Sequence, residues 1–417
     1  MPIRDDVVKA AQSAREASRR LAQIDGAQRA QALRAMAQAV RDGGAQIIAA
    51  NEADMQAGEQ AGLSSAMLDR LLLTPERIES IGVALEEIAD LPDPVGHVLK
   101  EWTIENGLRI QRVSVPIGVI GIIYESRPNV TADAAGLCVK SGNACVLRGG
   151  SEAIHSNLAL AQVLSDAAVG AGLPAGCIGM IPVTDREAVR IMCQLPEYID
   201  LIVPRGGENL IRAVTEDAQV PVLKHYRGMT QIFVDEHADV ALAVKLVHNA
   251  KVQRPGVCNA VENLYVHAKA VEALRAIIAD LQAAGVEIRG CPRTQQLVEG
   301  IVPATDEDFD TEYLDLILSV MIVDSLDDAL EQIARHSSGL TEAIITENKA
   351  NAERFLREVD SAAVYHNAST RLTDGGVFGL GAEIGVSTDK IHARGPVGAA
   401  ELTIYKYICR GDGQIRT

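Results

Sequence analysis

Apolar residues recur at three- and four-residue intervals through residues 3–90: Val7, Ala10, Ala11, Ala14, Ala17 and Leu21, then Leu33, Met36, Ala37 and Val40. That period predicts helices packed on a sheet, with Gly26, Gly43-Gly44 and Gly58 as breaks. The pattern then changes. Val98, Trp102, Ile104, Leu108, Ile110 and Val113 surround an Asn106-Gly107 pair, which predicts a β-hairpin standing apart from the core as an arm. From residue 117 short apolar runs at 117–124, 144–147, 178–181, 199–203 and 220–223 alternate with helix-like segments. A second series at 232–234, 261–266, 317–323, 343–346 and 362–365 repeats the habit. Buried, non-alternating strands joined by helices predict parallel sheets with right-handed crossovers. The expected fold is therefore α/β, with two domains meeting near residues 224–230. The segment Leu402-Thr403-Ile404-Tyr405-Lys406-Tyr407-Ile408 alternates and reads as an edge strand, for which a hairpin on another subunit is the expected partner.

A chain of 417 residues divides into two or three domains. Aromatics are only 3%, so the core rests on Val, Ile, Leu and Ala. The net charge of -17 argues against nucleic acid and anionic membranes as partners. It also requires any anionic ligand to be met by local Arg and Lys. The seven cysteines (138, 145, 177, 193, 258, 291 and 409) include no C-x-x-C pair and no zinc spacing. No metal site is expected, and reduced thiols suit the cytoplasm. No apolar run approaches the ~18 residues of a membrane span, and the first residues lack a signal core.

Four stretches can carry chemistry. In Gln253-Arg254-Pro255-Gly256-Val257-Cys258-Asn259-Ala260 one cysteine follows a Pro-Gly turn, with Lys251 and Arg254 upstream and no acid between 251 and 258. Cations favour the thiolate, the form that attacks carbonyl carbon; alone, the stretch fits an ordinary small apolar cysteine equally well. Two glycine turns, Arg148-Gly149-Gly150-Ser151-Glu152 and Pro204-Arg205-Gly206-Gly207-Glu208, each follow a predicted strand and open a helix. Free N–H groups at such a turn accept phosphate. Either turn alone reads as a plain βα connection, and the two together point to a dinucleotide. Asn129, in the stretch 124–131 after the first sheet strand, is a candidate oxyanion donor or a helix cap. The stretch His366-Asn367-Ala368-Ser369-Thr370-Arg371 and the glycine-dense run after it suit a small polar substrate.

Together these residues resemble the aldehyde dehydrogenase superfamily, and within it the γ-glutamyl phosphate reductases of proline biosynthesis. The resemblance rests on YESRPNVT (124–131), KSGNACVLRGGSEA (140–153), QRPGVCNAVENL (253–264), TEYLDLILSV (311–320) and HNASTRLTDGGVFGLGAEIGVSTDKIHARGPVG (366–398). It implies an NADP-binding domain (1–97 and 117–224), a catalytic domain (225–398) and a small β oligomerisation unit (98–116 and 399–417). It makes Cys258 the nucleophile and places Glu312 on the nicotinamide ribose. The implied reaction is NADPH-dependent reduction of L-glutamyl 5-phosphate through a cysteine thioester, in a homo-oligomer that can associate with the glutamate 5-kinase making the unstable acyl phosphate. Such a substrate needs a charged cradle, for which Arg127, Arg254, Asn367, Ser369, Thr370 and Arg371 are candidates. Arg148, Gly149, Gly150, Ser151, Glu152, Arg205, Gly206 and Gly207 are the candidates for the cofactor, with Arg148 expected on the 2′-phosphate.

Where acid-releasing aldehyde dehydrogenases carry a Glu-Leu-Gly-Gly base, this chain has Lys224-His225-Tyr226-Arg227-Gly228-Met229, without a carboxylate. Two alternatives stay open on the sequence. One is an aldehyde dehydrogenase that oxidises a small aldehyde to the free acid. The other is a nucleotide-binding regulatory protein in which Cys258 is structural.

Overall fold

Five helices open the chain: Pro2–Leu21, Gly26–Asp42, Gly44–Gln60, Ser65–Leu71 and Pro75–Asp90. The structure is a computed structural model and describes residues 2–125 and 127–416. The helices start where short polar side chains satisfy first-turn amides. Asp25 accepts from the Gln28 N–H, Ser64 from Met67 and Thr74 from Arg77, the last with Pro75 in the first turn. Their apolar stripes, including Val7, Ala11, Ala14, Leu33, Met36 and Val40, are fully buried. Gly58, expected as a break, lies inside the third helix.

The chain divides into two compact units. The first comprises the residues up to 224 together with 379–385 and the segment from 396 onward. Its hairpin is β1 (Val98–Thr103) and β2 (Arg109–Pro116), paired antiparallel. Its core sheet is β3 (Val119–Tyr124), β4 (Ala144–Arg148), β5 (Ile178–Met180) and β6 (Leu201–Arg205), all parallel, in the order β5-β4-β3-β6. The expected strand at 220–223 is reduced to one bridge between Ile202 and Val222. Pro221 lacks the N–H that would extend the ladder, although Val220 and Leu223 remain buried.

The second unit, 225–378 with 386–395, holds β7 (Thr230–Val234), β8 (Val261–His267), β9 (Glu287–Gly290), β10 (Val302–Pro303), β11 (Ile317–Val323), β12 (Thr341–Ile345) and β13 (Ala363–His366). These seven form one parallel sheet in the order β10-β9-β11-β8-β7-β12-β13. One face packs Ile232, Leu264, Val266, Leu318 and Val320 against helices. The other packs Phe233, Tyr265, Ile344 and Phe355. The short strands β9 and β10 carry no apolar run and were not expected.

β14 (Gly385–Ser387) and β15 (Gly395–Val397) lie where the chain passes between units. The last strand, β16 (Thr403–Arg410), pairs antiparallel with β2 from Thr403 opposite Pro116 to Arg410 opposite Arg109. The expected partner from another subunit is therefore corrected: the chain's own hairpin fills that edge along its whole length, giving a three-stranded sheet β1-β2-β16. Among the described residues no helix is long and apolar enough to cross a membrane.

Candidate active site

The helix Val240–Val252, capped by the Asp239 side chain, ends two residues before Arg254. Pro255 and Gly256 then turn the chain, and Ala260 N–H closes the turn on the Val257 carbonyl at 3.0 Å. Cys258 sits half-buried on this turn, just ahead of the amino end of β8. Thr230, the first residue of β7, and Gly228, two residues ahead of it, fix the Cys258 backbone. Thr230 Oγ1, fully buried, donates to the Cys258 carbonyl at 2.9 Å. Gly228 packs so closely that a Cβ there would lie 2.5 Å from Cys258 Cα, and closer still to its Cβ and carbonyl oxygen.

The 367–373 segment supplies the charge. Arg371 donates through Nε to Gln253 Oε1 at 2.9 Å and through a terminal nitrogen to Asn259 Oδ1. Burial lowers its pKa, Arg254 lowers it further, and Asp374 and Cys258 oppose the shift. Arg371 thus stands within electrostatic reach of Cys258 and of Arg254, and a guanidinium near the sulfur favours thiolate. Asn259, buried beside the cysteine, is the hub: its Nδ2 donates to the Thr373 carbonyl at 2.7 Å, and its own carbonyl accepts from Thr370 Oγ1 at 2.9 Å. Sequence reasoning missed Asn259, Gln253, Thr230 and Gly228 as supports of the cysteine, although the first two lay in the cysteine's own stretch and the last two in the 224–230 junction.

The other expected substrate residues divide. Ser369 donates to Asn249 Oδ1 at 2.6 Å and accepts from the Arg371 N–H, and Thr370 is fully buried; both hold the loop in shape. Asn367 adopts a left-handed φ of 52° and binds the Thr346 backbone with both ends of its amide. Those bonds lock β13 to β12 and leave Arg371 as the cation near the cysteine, with exposed Arg254 in its reach. Glu312 is half-buried on the loop between the short helix Asp306–Asp310 and β11.

In the first unit, exposed Asn129 opens the helix Asn129–Lys140 rather than capping it, and donates to Asp133 Oδ2 at 3.0 Å. Burial pushes the Asp133 carboxyl up to about 6, against the pull of that bond and of Arg205. Arg127 is exposed ahead of the same helix. The glycine turns differ from expectation in where their amides go. Beyond Gly149-Gly150, the His155 and Ser156 N–H groups donate to Asp54 at 3.1 and 2.8 Å. At the other turn, Gly207 N–H donates to Glu125 Oε2 at 2.9 Å. The chain's own carboxylates hold these amides, so phosphate does not meet them free. Arg148 is corrected as well. It is 8% exposed and donates to the Thr184 and Asp185 carbonyls, with its Nε unpartnered. A guanidinium so buried braces the 184–185 turn and is withdrawn from a cofactor 2′-phosphate. Arg205 remains half-buried at the end of β6.

Comparison with known proteins identifies the family. The model of the aldehyde dehydrogenase family matches residues 3–289. A γ-glutamyl phosphate reductase of Moorella thermoacetica is 54% identical over 406 residues, 97% of either chain. The chain belongs to the aldehyde dehydrogenase family. The crystal structure of a γ-glutamyl phosphate reductase from Thermotoga maritima superposes with a TM-score of 0.97 at 46% identity, covering 99% of this chain and 100% of that one. An acetylating aldehyde dehydrogenase from Geobacillus thermoglucosidasius, 18% identical and with a TM-score of 0.71 over 100% and 98% of the two chains, shares the fold. Family membership makes the protein an oxidoreductase and implies a nicotinamide cofactor. At the Gly149-Gly150 turn the chain's own side chains pack on both glycines: a Cβ on Gly149 would strike the Asn157 amide and Tyr124 ring, and one on Gly150 the Glu152 carboxylate, with exposed Ser151 alongside.

Proposed function

We propose that the protein reduces L-glutamyl 5-phosphate to L-glutamate 5-semialdehyde and phosphate with NADPH, the second step of proline biosynthesis from glutamate. The observation that carries this reading is the packing of Gly228 on Cys258. Gly228 belongs to the stretch that holds a deacylating glutamate in acid-releasing relatives, which here reads Lys224-His225-Tyr226-Arg227-Gly228-Met229. Water attacking an acyl-enzyme at this site finds no carboxylate in that stretch to activate it. The names of the relatives, at about half identity over nearly the whole chain, point to the same substrate.

The Cys258 thiolate, favoured by Arg371, attacks the acyl carbon. The C–O bond to phosphate breaks, and phosphate departs as a stable anion without needing an acid, leaving a thioester on Cys258. The nicotinamide cofactor, when bound, supplies hydride. Collapse of the reduced adduct returns the thiolate and releases the aldehyde. Arg371 and Arg254 are suited to the substrate's anionic groups, because a guanidinium binds carboxylate or phosphate through two parallel bonds. Glu312 takes the nicotinamide ribose. Exposed Val98, Leu99, Tyr405 and Tyr407 make the β1-β2-β16 sheet the candidate surface for self-association.

The test runs the reaction backwards. Oxidation of the semialdehyde by NADP should depend on added phosphate or arsenate, which replaces water as acyl acceptor. Sustained turnover in phosphate-free buffer, yielding glutamate at a comparable rate, would favour the acid-releasing alternative.

A further inference from the structure

Several buried polar groups of the second unit converge on one loop, among them Lys251, which the sequence offered as a cation for the thiolate and the structure pairs with Glu262 instead. Lys251 and Glu262 are both wholly buried, and Lys251 Nζ donates to Glu262 Oε2 at 2.8 Å. Withdrawing two charges from water is costly, and breaking such a pair leaves one of them stranded. The other oxygen of Glu262 accepts the Leu314 N–H at 3.2 Å. Leu314 has a φ of 55°, a left-handed conformation that branched side chains avoid, and its side chain is 46% exposed. Burial of that side chain therefore does little to hold the conformation. The bond from Glu262 does.

The residues around Glu312 are anchored on both sides. Thr311 Oγ1 donates to the Glu307 carbonyl at 2.7 Å. Tyr313 donates its hydroxyl to Asp308 Oδ1 at 2.6 Å, under an Arg289 guanidinium 4.9 Å from its ring centre. Arg289 in turn pairs with Asp308 at 2.7 Å. Lys251 lies in the last turn of the helix that leads into the Cys258 turn, and within electrostatic reach of Glu262, Asp315 and Glu312. A Cβ on Gly256 would touch the Leu314 carbonyl at 3.6 Å, so the two loops run side by side.

We propose that Lys251 and Glu262 are positioning residues: through the Leu314 N–H, their ion pair presets the 311–315 loop so that Glu312 meets the ribose hydroxyls of the cofactor. This rests on the reading of Glu312 as the ribose ligand. The Cys258 turn has its own supports in Thr230, Gly228 and Thr370, so cofactor binding and thiol reactivity separate in the test.

Two double variants and one control decide it. Lys251→Met with Glu262→Leu removes both charges without stranding either, and leaves the Leu314 N–H unpartnered. Lys251→Met with Glu262→Gln is also uncharged but keeps an acceptor for that N–H. The control is Glu312→Gln. NADPH affinity is read by fluorescence titration, Cys258 reactivity by the rate of iodoacetamide alkylation, and folding by Tm. The Leu double should weaken NADPH binding at least about tenfold, the scale of one hydrogen bond to a charged group. The Gln double should restore most of that loss, Glu312→Gln should weaken binding, and alkylation should stay near wild type in all three. Wild-type NADPH affinity in the Leu double, with Glu312→Gln impaired, overturns the positioning role and leaves the ribose reading standing. Wild-type affinity in Glu312→Gln removes the ribose reading and this inference with it. Equal loss of binding and alkylation in both doubles makes the pair a plain core element and also overturns the proposal.

Discussion

Gly228→Ala tests how tightly the nucleophile is held. The glycine is not in the left-handed region, so alanine suits its backbone and only space is at issue. The added Cβ would stand 2.5 Å from Cys258 Cα, where ordinary contact begins at 3.4 Å, so one backbone must retreat by about 1 Å. The retreat has few outlets. Thr230 Oγ1 holds the Cys258 carbonyl at 2.9 Å from the same side, and Asn259 ties the next residue to Thr370 and Thr373. Overpacking of this kind costs about 1–3 kcal/mol of stability. Displacing a reacting atom by ~1 Å lowers the rate about 100-fold, or roughly 2.7 kcal/mol of barrier. The assays are kcat/KM for glutamyl phosphate generated in situ, the alkylation rate of Cys258, and NADPH affinity. We expect a large loss in the first, a measurable one in the second and little change in the third. Turnover within about threefold of wild type, less than 1 kcal/mol of barrier, would refute the claim that Gly228 sets the position of the sulfur.

Cys258→Ala should abolish turnover while NADPH still binds, and mass spectrometry after incubation with acyl phosphate should find an adduct on the wild-type cysteine alone. Substantial activity in the variant would reject the covalent route. Arg371→Lys should lower kcat/KM at least about tenfold, because an ammonium cannot bridge Gln253 and Asn259 while presenting a planar face to an anion; wild-type kinetics would move the substrate anion elsewhere. Glu342 gives a pH signature. Burial is the main cause that pushes its carboxyl from 4.5 up to about 7. The native state thus keeps a proton that the unfolded chain loses, so this group's effect on stability worsens as pH rises from 4.5 to about 7. Glu342→Gln copies the protonated form and should match wild type below pH 4.5, the lower end of that range. At pH 8 it should be the more stable by up to about 3 kcal/mol, by the same linkage. Glu262 titrates over the same range, so the difference between the two Tm-against-pH curves isolates Glu342. A variant less stable than wild type at pH 8 would contradict the assignment.

Strands were legible where burial on both faces forced a largely apolar run, as in Ile317–Val323, and illegible where pairing rather than composition made them. The strand Val302–Pro303 has two exposed residues and exists because it pairs with Arg289 and Gly290. Cys258 was visible through its Pro-Gly turn, a local signal. Its supports were not, since Gly228 and Thr230 act from nearly thirty residues away and through space alone. Expecting ligands at the carboxyl ends of parallel strands also misdirects the eye in this unit, where the sulfur precedes β8. The glycine turns announced themselves, yet the carboxylates on their amides could not be read. Asp54 reaches Ser156 across about a hundred positions, and no spacing rule links them. Arg148 shows the same limit: its type suggested a phosphate, and its burial assigned it to two carbonyls.

The antiparallel register between β16 and β2 has a consequence for biosynthesis. The two strands are separated by about 290 positions in the chain, and at ribosomal rates of 5–20 residues per second that gap takes roughly 15–60 seconds to translate. During that interval the nascent hairpin shows its inner edge to the cell, with Ile110, Val113 and Val115 in the exposed ladder. The second unit, almost continuous from 225 to 378, is complete in sequence before the first receives its last strand. A chaperone, or another nascent copy on the same polysome, therefore meets a sticky strand edge at a fixed stage of translation. Premature termination shortly before residue 403 would leave that edge open for good.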